Sequence, residues 1–248
     1  MPNKSIRVSS LRRTAWRALL LIFLSTGAAF GNPVGHHVVV ETGAQSPANP
    51  LTVITLHGLG DSPENFARLV KRSTISARWI IPRATYRYGR GYSWFDIPPG
   101  ALKRPQLLAS EITRAVKRLA LLVDEIRSEQ EHGRRIVLMG FSQGGMLTYG
   151  YAATPGMQPL AGAIPIGGLL PKSLWPKHKT AFSIVALHGV DDSVVPFRYA
   201  KSTAAAFRAS ASDIEFFPFE NVAHTVTLEM WQLVQERLLR FASGVQAP

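Results

Sequence analysis

From residue 36 onward the chain alternates short β-branched runs with longer amphipathic ones, and few architectures satisfy that alternation. Segments 37–41, 51–57, 78–82, 135–140, 160–166, 182–188 and 214–219 read as strands. Several, such as LTVITLH and RIVLMG, are apolar on both faces, which implies a mostly parallel sheet covered by helices on both sides. Between two of these runs, Leu108, Ile112, Val116, Leu119, Val123 and Ile126 recur at three- and four-residue steps and form one apolar stripe. Arg114, Lys117, Arg118 and Glu125 fall mostly on the other faces of the same helix. Residues 146–153, 196–211 and 226–241 read as further helices. No internal repeat or Pro/Gly/Ser-rich linker divides the chain, so residues 32–248 are expected to form one α/β domain without a large lid. A core of this size needs no covalent staple, and the chain has no cysteine. Disulfides, cysteine-ligated zinc and a cysteine nucleophile are thereby excluded.

The first 31 residues follow another logic. Lys4, Arg7, Arg12, Arg13 and Arg17 are basic, and no acidic residue precedes Glu41. The uncharged run ALLLIFLSTGAAF follows Arg17 directly. Its thirteen residues would extend about 20 Å as a helix, short of the ~30 Å hydrocarbon core. A basic start, a short apolar stretch and small residues at Ala28, Ala29 and Gly31 fit an export signal, so residues 1–31 are expected to be a signal peptide and the protein periplasmic or secreted. The full chain carries +12, and removal of that segment leaves 23 basic against 16 acidic residues, or +7. The remaining basic residues are scattered and no nucleic-acid motif accompanies them, so no nucleic-acid partner is expected. The balance allows at most weak electrostatic association with an anionic envelope.

The chemistry concentrates at Gly140-Phe141-Ser142-Gln143-Gly144-Gly145, between a strand and a helical run. That is G-x-S-x-G in strand–turn–helix context, where a tight turn drives the serine outward and makes Ser142 the candidate nucleophile. In folds built on this elbow the chain order is serine, then acid, then histidine. Of seven histidines only His224 follows the last strand, just before the C-terminal helix, so His224 is the candidate base. The acid is expected after the penultimate strand, where Asp191 and Asp192 stand side by side in HGVDDSVVP; Asp192 is the better placed, with Asp191 as the alternative. An oxyanion hole needs two main-chain N–H groups, one from Gln143 behind the nucleophile and one from the loop HGLGDS, where Leu59 is the candidate. Residues 83–105, rich in Tyr, Trp, Gly, Pro and Arg, do not fit the alternation and are expected to form a functional loop.

LHGLGDS (56–62), SWFDI (93–97), GFSQGG (140–145), HGVDDSVVP (188–196) and VAH (222–224) together resemble, in order, the phospholipase/carboxylesterase family of α/β-hydrolases. The resemblance spans roughly residues 50–242. It implies a serine hydrolase of short- to medium-chain carboxylic esters or thioesters, acting on small-molecule esters without cofactor or metal. It further implies Ser142, Asp192 and His224 as the triad, Leu59 and Gln143 as oxyanion donors, and Trp94 as an aromatic wall of the acyl site. A peptidase or polyester depolymerase would use the same triad, and a non-catalytic binding protein could share the scaffold.

Overall fold

The computed structural model describes residues 36–43, 51–97, 100, 103–129 and 134–244. The expected signal peptide lies outside them. In chain order the first half comprises β1 (His37–Thr42), β2 (Leu51–Leu56), α1 (Pro63–Val70), β3 (Ala77–Pro82), β4 (Tyr86–Tyr88), β5 (Gly91–Ser93) and α2 (Pro105–Glu129). The second half comprises β6 (Arg135–Phe141), α3 (Gln143–Ala153), β7 (Gly162–Ile166), β8 (Ile184–Gly189), α4 (Phe197–Ala209), β9 (Ile214–Phe219) and α5 (Leu228–Ser243). Seven strands form one sheet in the order β1-β3-β2-β6-β7-β8-β9, parallel throughout except for β1, which pairs antiparallel with β3.

Strand alternation sorts the apolar side chains into two cores. Ile54, Leu56, Ile136, Leu138, Ile184 and Ala186 face α2, α3 and α4, packing on Leu108, Ile112, Leu119, Leu147 and Phe207. Leu51, Val53, Val137, Met139, Val185 and Leu187 face α1 and α5, packing on Phe66, Val70, Trp231, Val234 and Leu238. Helices on both faces explain why these strands lack polar alternation. No helix among the described residues is long and apolar enough to cross a membrane.

Two elements escape the periodicity reading. Helix α1 is short, but Ser62 caps it by accepting the Asn65 N–H at 3.3 Å, with a proline in its first turn and Glu64 beside the N-terminus. The 83–105 stretch contains the β4–β5 hairpin, closed by a Gly89-Arg90 turn in which Gly89 takes φ +58°. Both hairpin strands are three residues long, and β4 is exposed along its whole length.

Candidate active site

Ser142 sits at the tip between β6 and α3 with φ 55° and ψ −114°, a conformation costly for a side-chain-bearing residue. The glycines around it permit the turn. A Cβ on Gly144 would stand 2.3 Å from the Leu56 carbonyl oxygen, and one on Gly140 2.3 Å from the Gly144 oxygen. The Ser142 N–H donates to Ile166 O at 2.8 Å, tying the tip to the neighbouring strand.

His224 lies beyond β9. Its Nε2 is 2.8 Å from Ser142 Oγ and its Nδ1 is 2.6 Å from Asp192 Oδ2. An ionised carboxylate only accepts, so Nδ1 carries the proton and Nε2 accepts from the Ser142 hydroxyl. The ring packs against the Phe141 ring, with centroids 4.8 Å apart, and a Cβ on Gly167 would lie 3.4 Å from it. The Asp192 side chain is 1% exposed against 15% for that of His224, so the candidate acid is sealed while the candidate base remains reachable. The Asp192 Oδ1 accepts the Val194 and Val195 N–H groups at 2.9 and 2.7 Å. Asp191 is exposed, and its main-chain N–H donates to Val222 O at 3.0 Å. The geometry thus brings Ser142, His224 and Asp192 together and leaves Asp191 outside.

Leu59 belongs to a loop organised by His57. The fully buried His57 ring donates from Nδ1 to Gly58 O at 2.7 Å and accepts the Ala84 N–H at Nε2, 3.3 Å away. Burial holds its pKa below the ordinary 6.5, so it stays neutral with both nitrogens used. Gly58 O also accepts the Asp61 N–H at 3.3 Å. A planar trans peptide sets its C=O and N–H in opposite directions, so anchoring Gly58 O aims the Leu59 N–H the other way. A Cβ on Gly58 would lie 3.5 Å from Ser142 Cβ, which places this loop against the nucleophile. Among the described residues, no main-chain carbonyl takes the Leu59 or Gln143 N–H. The Gln143 N–H belongs to the first turn of α3, whose donors have no intrahelical partner.

Sequence reasoning missed the Gln143 side chain. Its Oε1 accepts the Trp94 N–H at 2.8 Å, and its Nε2 donates to Phe95 O at 2.8 Å and to Ser93 Oγ at 3.0 Å. The elbow therefore grips the segment that ends the hairpin. The hairpin also grips the oxyanion loop: Gly60 N–H donates to Tyr92 O and Tyr92 N–H to Asp61 O, both at 2.9 Å. Trp94, for which the resemblance implies an acyl wall, is 4% exposed. Its indole N–H donates to His57 O at 2.8 Å and its ring lies 5.2 Å from the His57 ring, so it braces the oxyanion loop from beneath.

The Phospholipase/Carboxylesterase family model matches residues 35–240. The carboxylesterase SOBER1 of Arabidopsis thaliana is 27% identical over 212 residues, covering 77% of this chain and 91% of the relative. Acyl-protein thioesterase 1 of Cryptococcus neoformans is 31% identical over 170 residues, covering 61% of this chain and 70% of the relative. The solved Bacillus cereus carboxylesterase superposes with a TM-score of 0.69 at 17% identity, over 83% of this chain and 94% of its own, and shares the fold. The mostly parallel sheet, its helical layers and the family match together establish an α/β-hydrolase fold, and the chain belongs to the phospholipase/carboxylesterase family of carboxylic ester hydrolases.

Proposed function

We propose that the protein is an exported serine esterase that cleaves short- to medium-chain carboxylic esters and thioesters through an acyl-enzyme. The observation that carries this reading is the unbroken chain from Ser142 Oγ through His224 to Asp192, at 2.8 and 2.6 Å, beside the Leu59 and Gln143 N–H groups, which no main-chain carbonyl among the described residues takes. His224 Nε2 takes the hydroxyl proton as Ser142 Oγ attacks the ester carbonyl, and the Asp192 carboxylate stabilises the imidazolium that forms. The Leu59 and Gln143 N–H groups receive the oxyanion. His224 then protonates the departing alcohol or thiol, and water, deprotonated by the same nitrogen, releases the acid and regenerates Ser142.

An apolar hollow of about 310 Å³, lined by Leu108, Leu169, Leu170, Pro171, Trp175 and Tyr199, suits the acyl chain. Leu169 of its lining stands two residues beyond Gly167, where a Cβ would lie 3.4 Å from the His224 ring. Export rests on the basic start and thirteen-residue apolar run of the first 31 residues. The test is hydrolysis of p-nitrophenyl esters from acetyl to dodecanoyl, with the matching thioesters, by the wild type and by Ser142→Ala. Turnover across short and medium chains that collapses in the variant supports the reading; a wild type inert on every substrate, or a variant as active as the wild type, removes it. N-terminal sequencing of protein recovered from the periplasm or medium tests the export step.

A further inference from the structure

The acid loop contains a second histidine for which the triad has no use. His188 is the penultimate residue of β8, four positions before Asp192, and is 1% exposed. Its Nε2 lies 2.8 Å from Val195 O and 3.4 Å from Asp192 Oδ2, the same oxygen that accepts from His224. A carbonyl only accepts, so His188 Nε2 carries a proton and points it between Val195 O and the carboxylate. Val195 is thus held twice: its C=O by His188 and its N–H by Asp192 Oδ1 at 2.7 Å.

On the rest of the acid loop, main-chain bonds at 2.9 and 3.0 Å join Val190 N–H to Phe219 O and Asp191 N–H to Val222 O. A Cβ on Gly189 would stand 2.2 Å from Val222 O, so the loop's start is pressed against the segment carrying His224. Those contacts fix the near side of the loop. The far side, where Asp192 receives the Val194 and Val195 N–H groups, is closed onto β8 by the His188 side chain.

We propose that His188 is a positioning residue for the catalytic acid, its Nε2–H clamping Val195 and bracketing Asp192 Oδ2 so that the carboxylate presents one fixed oxygen to His224. The inference rests on the triad assignment above. It requires His188 to be neutral, since a cation there would compete with imidazolium His224 for Asp192. Burial, reinforced by the nearby His224, keeps its pKa low despite Val195 O and Asp192, which act the other way.

Three substitutions separate positioning from bulk. His188→Gln puts an amide N–H where Nε2 stands, whereas His188→Asn is too short to reach Val195 O and His188→Phe keeps a ring without a donor. The expected result is a kcat lowered by about 10- to 100-fold in the Asn and Phe variants, with KM within about twofold, and recovery to near wild type in the Gln variant. The strongly downfield His224 Nδ1 proton resonance in NMR spectra should broaden or shift upfield in the Asn and Phe variants and return in the Gln variant. Wild-type kcat and an unchanged resonance in the Asn or Phe variant overturn the proposal, as does a Gln variant no better than Asn. Should Phe fail to fold, the Gln–Asn pair decides. The resonance needs no substrate, so it judges the clamp even if the ester assay and Ser142→Ala reject the hydrolytic reading.

Discussion

The Oε1 of Gln143 accepts the main-chain N–H of Trp94 at 2.8 Å, across 49 positions of sequence. The residue after the candidate nucleophile therefore combines a main-chain N–H proposed as an oxyanion donor with a side chain that locks the hairpin in place. Gln143→Ala separates them, because the main-chain N–H survives while the buried Trp94 N–H loses its partner and Phe95 O keeps only the Ser93 hydroxyl, at 2.5 Å. The unpaired N–H costs about 1–3 kcal/mol, so the thermal midpoint should fall by about 3–10 °C. Loosening of the attached oxyanion loop should lower kcat by about 10- to 100-fold, measured on p-nitrophenyl butyrate. An unchanged midpoint would mean the clamp does not hold in solution.

The two neighbouring aspartates should differ sharply. Asp192→Asn keeps the shape but presents the wrong groups to His224 Nδ1–H, and kcat should drop about 10,000-fold. Asp191→Asn, at an exposed position whose bond among the described residues runs through its main chain, should stay within about twofold. Equal losses in the two variants would refute the assignment of the acid.

Glycine substitutions should divide into folding and activity defects. Gly144→Ala drives a Cβ to 2.3 Å from the carbonyl oxygen of Leu56 in the central sheet, so soluble expression should be lost. Gly91→Ala meets Gly60 O at 2.2 Å, but the hairpin lies outside that sheet. That variant should remain folded by circular dichroism while its kcat declines with the displaced oxyanion loop.

Acid should destabilise the fold through histidines that stay neutral when buried. The pKa values of His57, His188 and half-buried His37 are all lowered from 6.5, chiefly by burial. The unfolded chain binds these protons near pH 6.5 and the folded chain resists them. Stability is therefore complete above that pH and declines as pH falls through 6.5 toward the folded values. The urea midpoint should be lower at pH 5 than at pH 7.5, and His57→Gln should show a smaller drop; a pH-independent midpoint would count against neutral buried rings.

Much of this was legible before any coordinates. The seven main strands announced themselves as short β-branched or apolar runs, several of them apolar on both faces, and each lies within about two residues of its expected limits. Ser142 and His224 followed from the elbow and from chain order. In the sequence only its place in HGVDDSVVP favours Asp192 over Asp191, and the structure separates them physically: Asp192 Oδ2 meets His224 Nδ1 while Asp191 is exposed. Helix α1 carried a Ser-Pro-Glu start but only eight residues, too few for periodicity to register. The hairpin was hidden because β4 buries nothing, although Gly89-Arg90 between YRY and GYS is a turn signal. The roles of Gln143, Trp94, His57 and His188 arise from partners joined only by the completed fold, so local patterning carries no trace of most of them.

The hairpin is fastened to the oxyanion loop by peptide groups, Gly60 to Tyr92 and Tyr92 to Asp61, and such bonds are indifferent to side-chain identity. Tyr86, Arg87, Tyr88 and Arg90 are exposed on it, with Arg87 over the Tyr92 ring and Tyr86 beneath the Arg118 guanidinium. The molecule thus carries a rewritable surface beside its candidate active site, coupled by main-chain joints that do not depend on the side chains of those four residues. Selection, or a combinatorial library, can diversify what approaches the ester without disturbing the machinery that would cleave it.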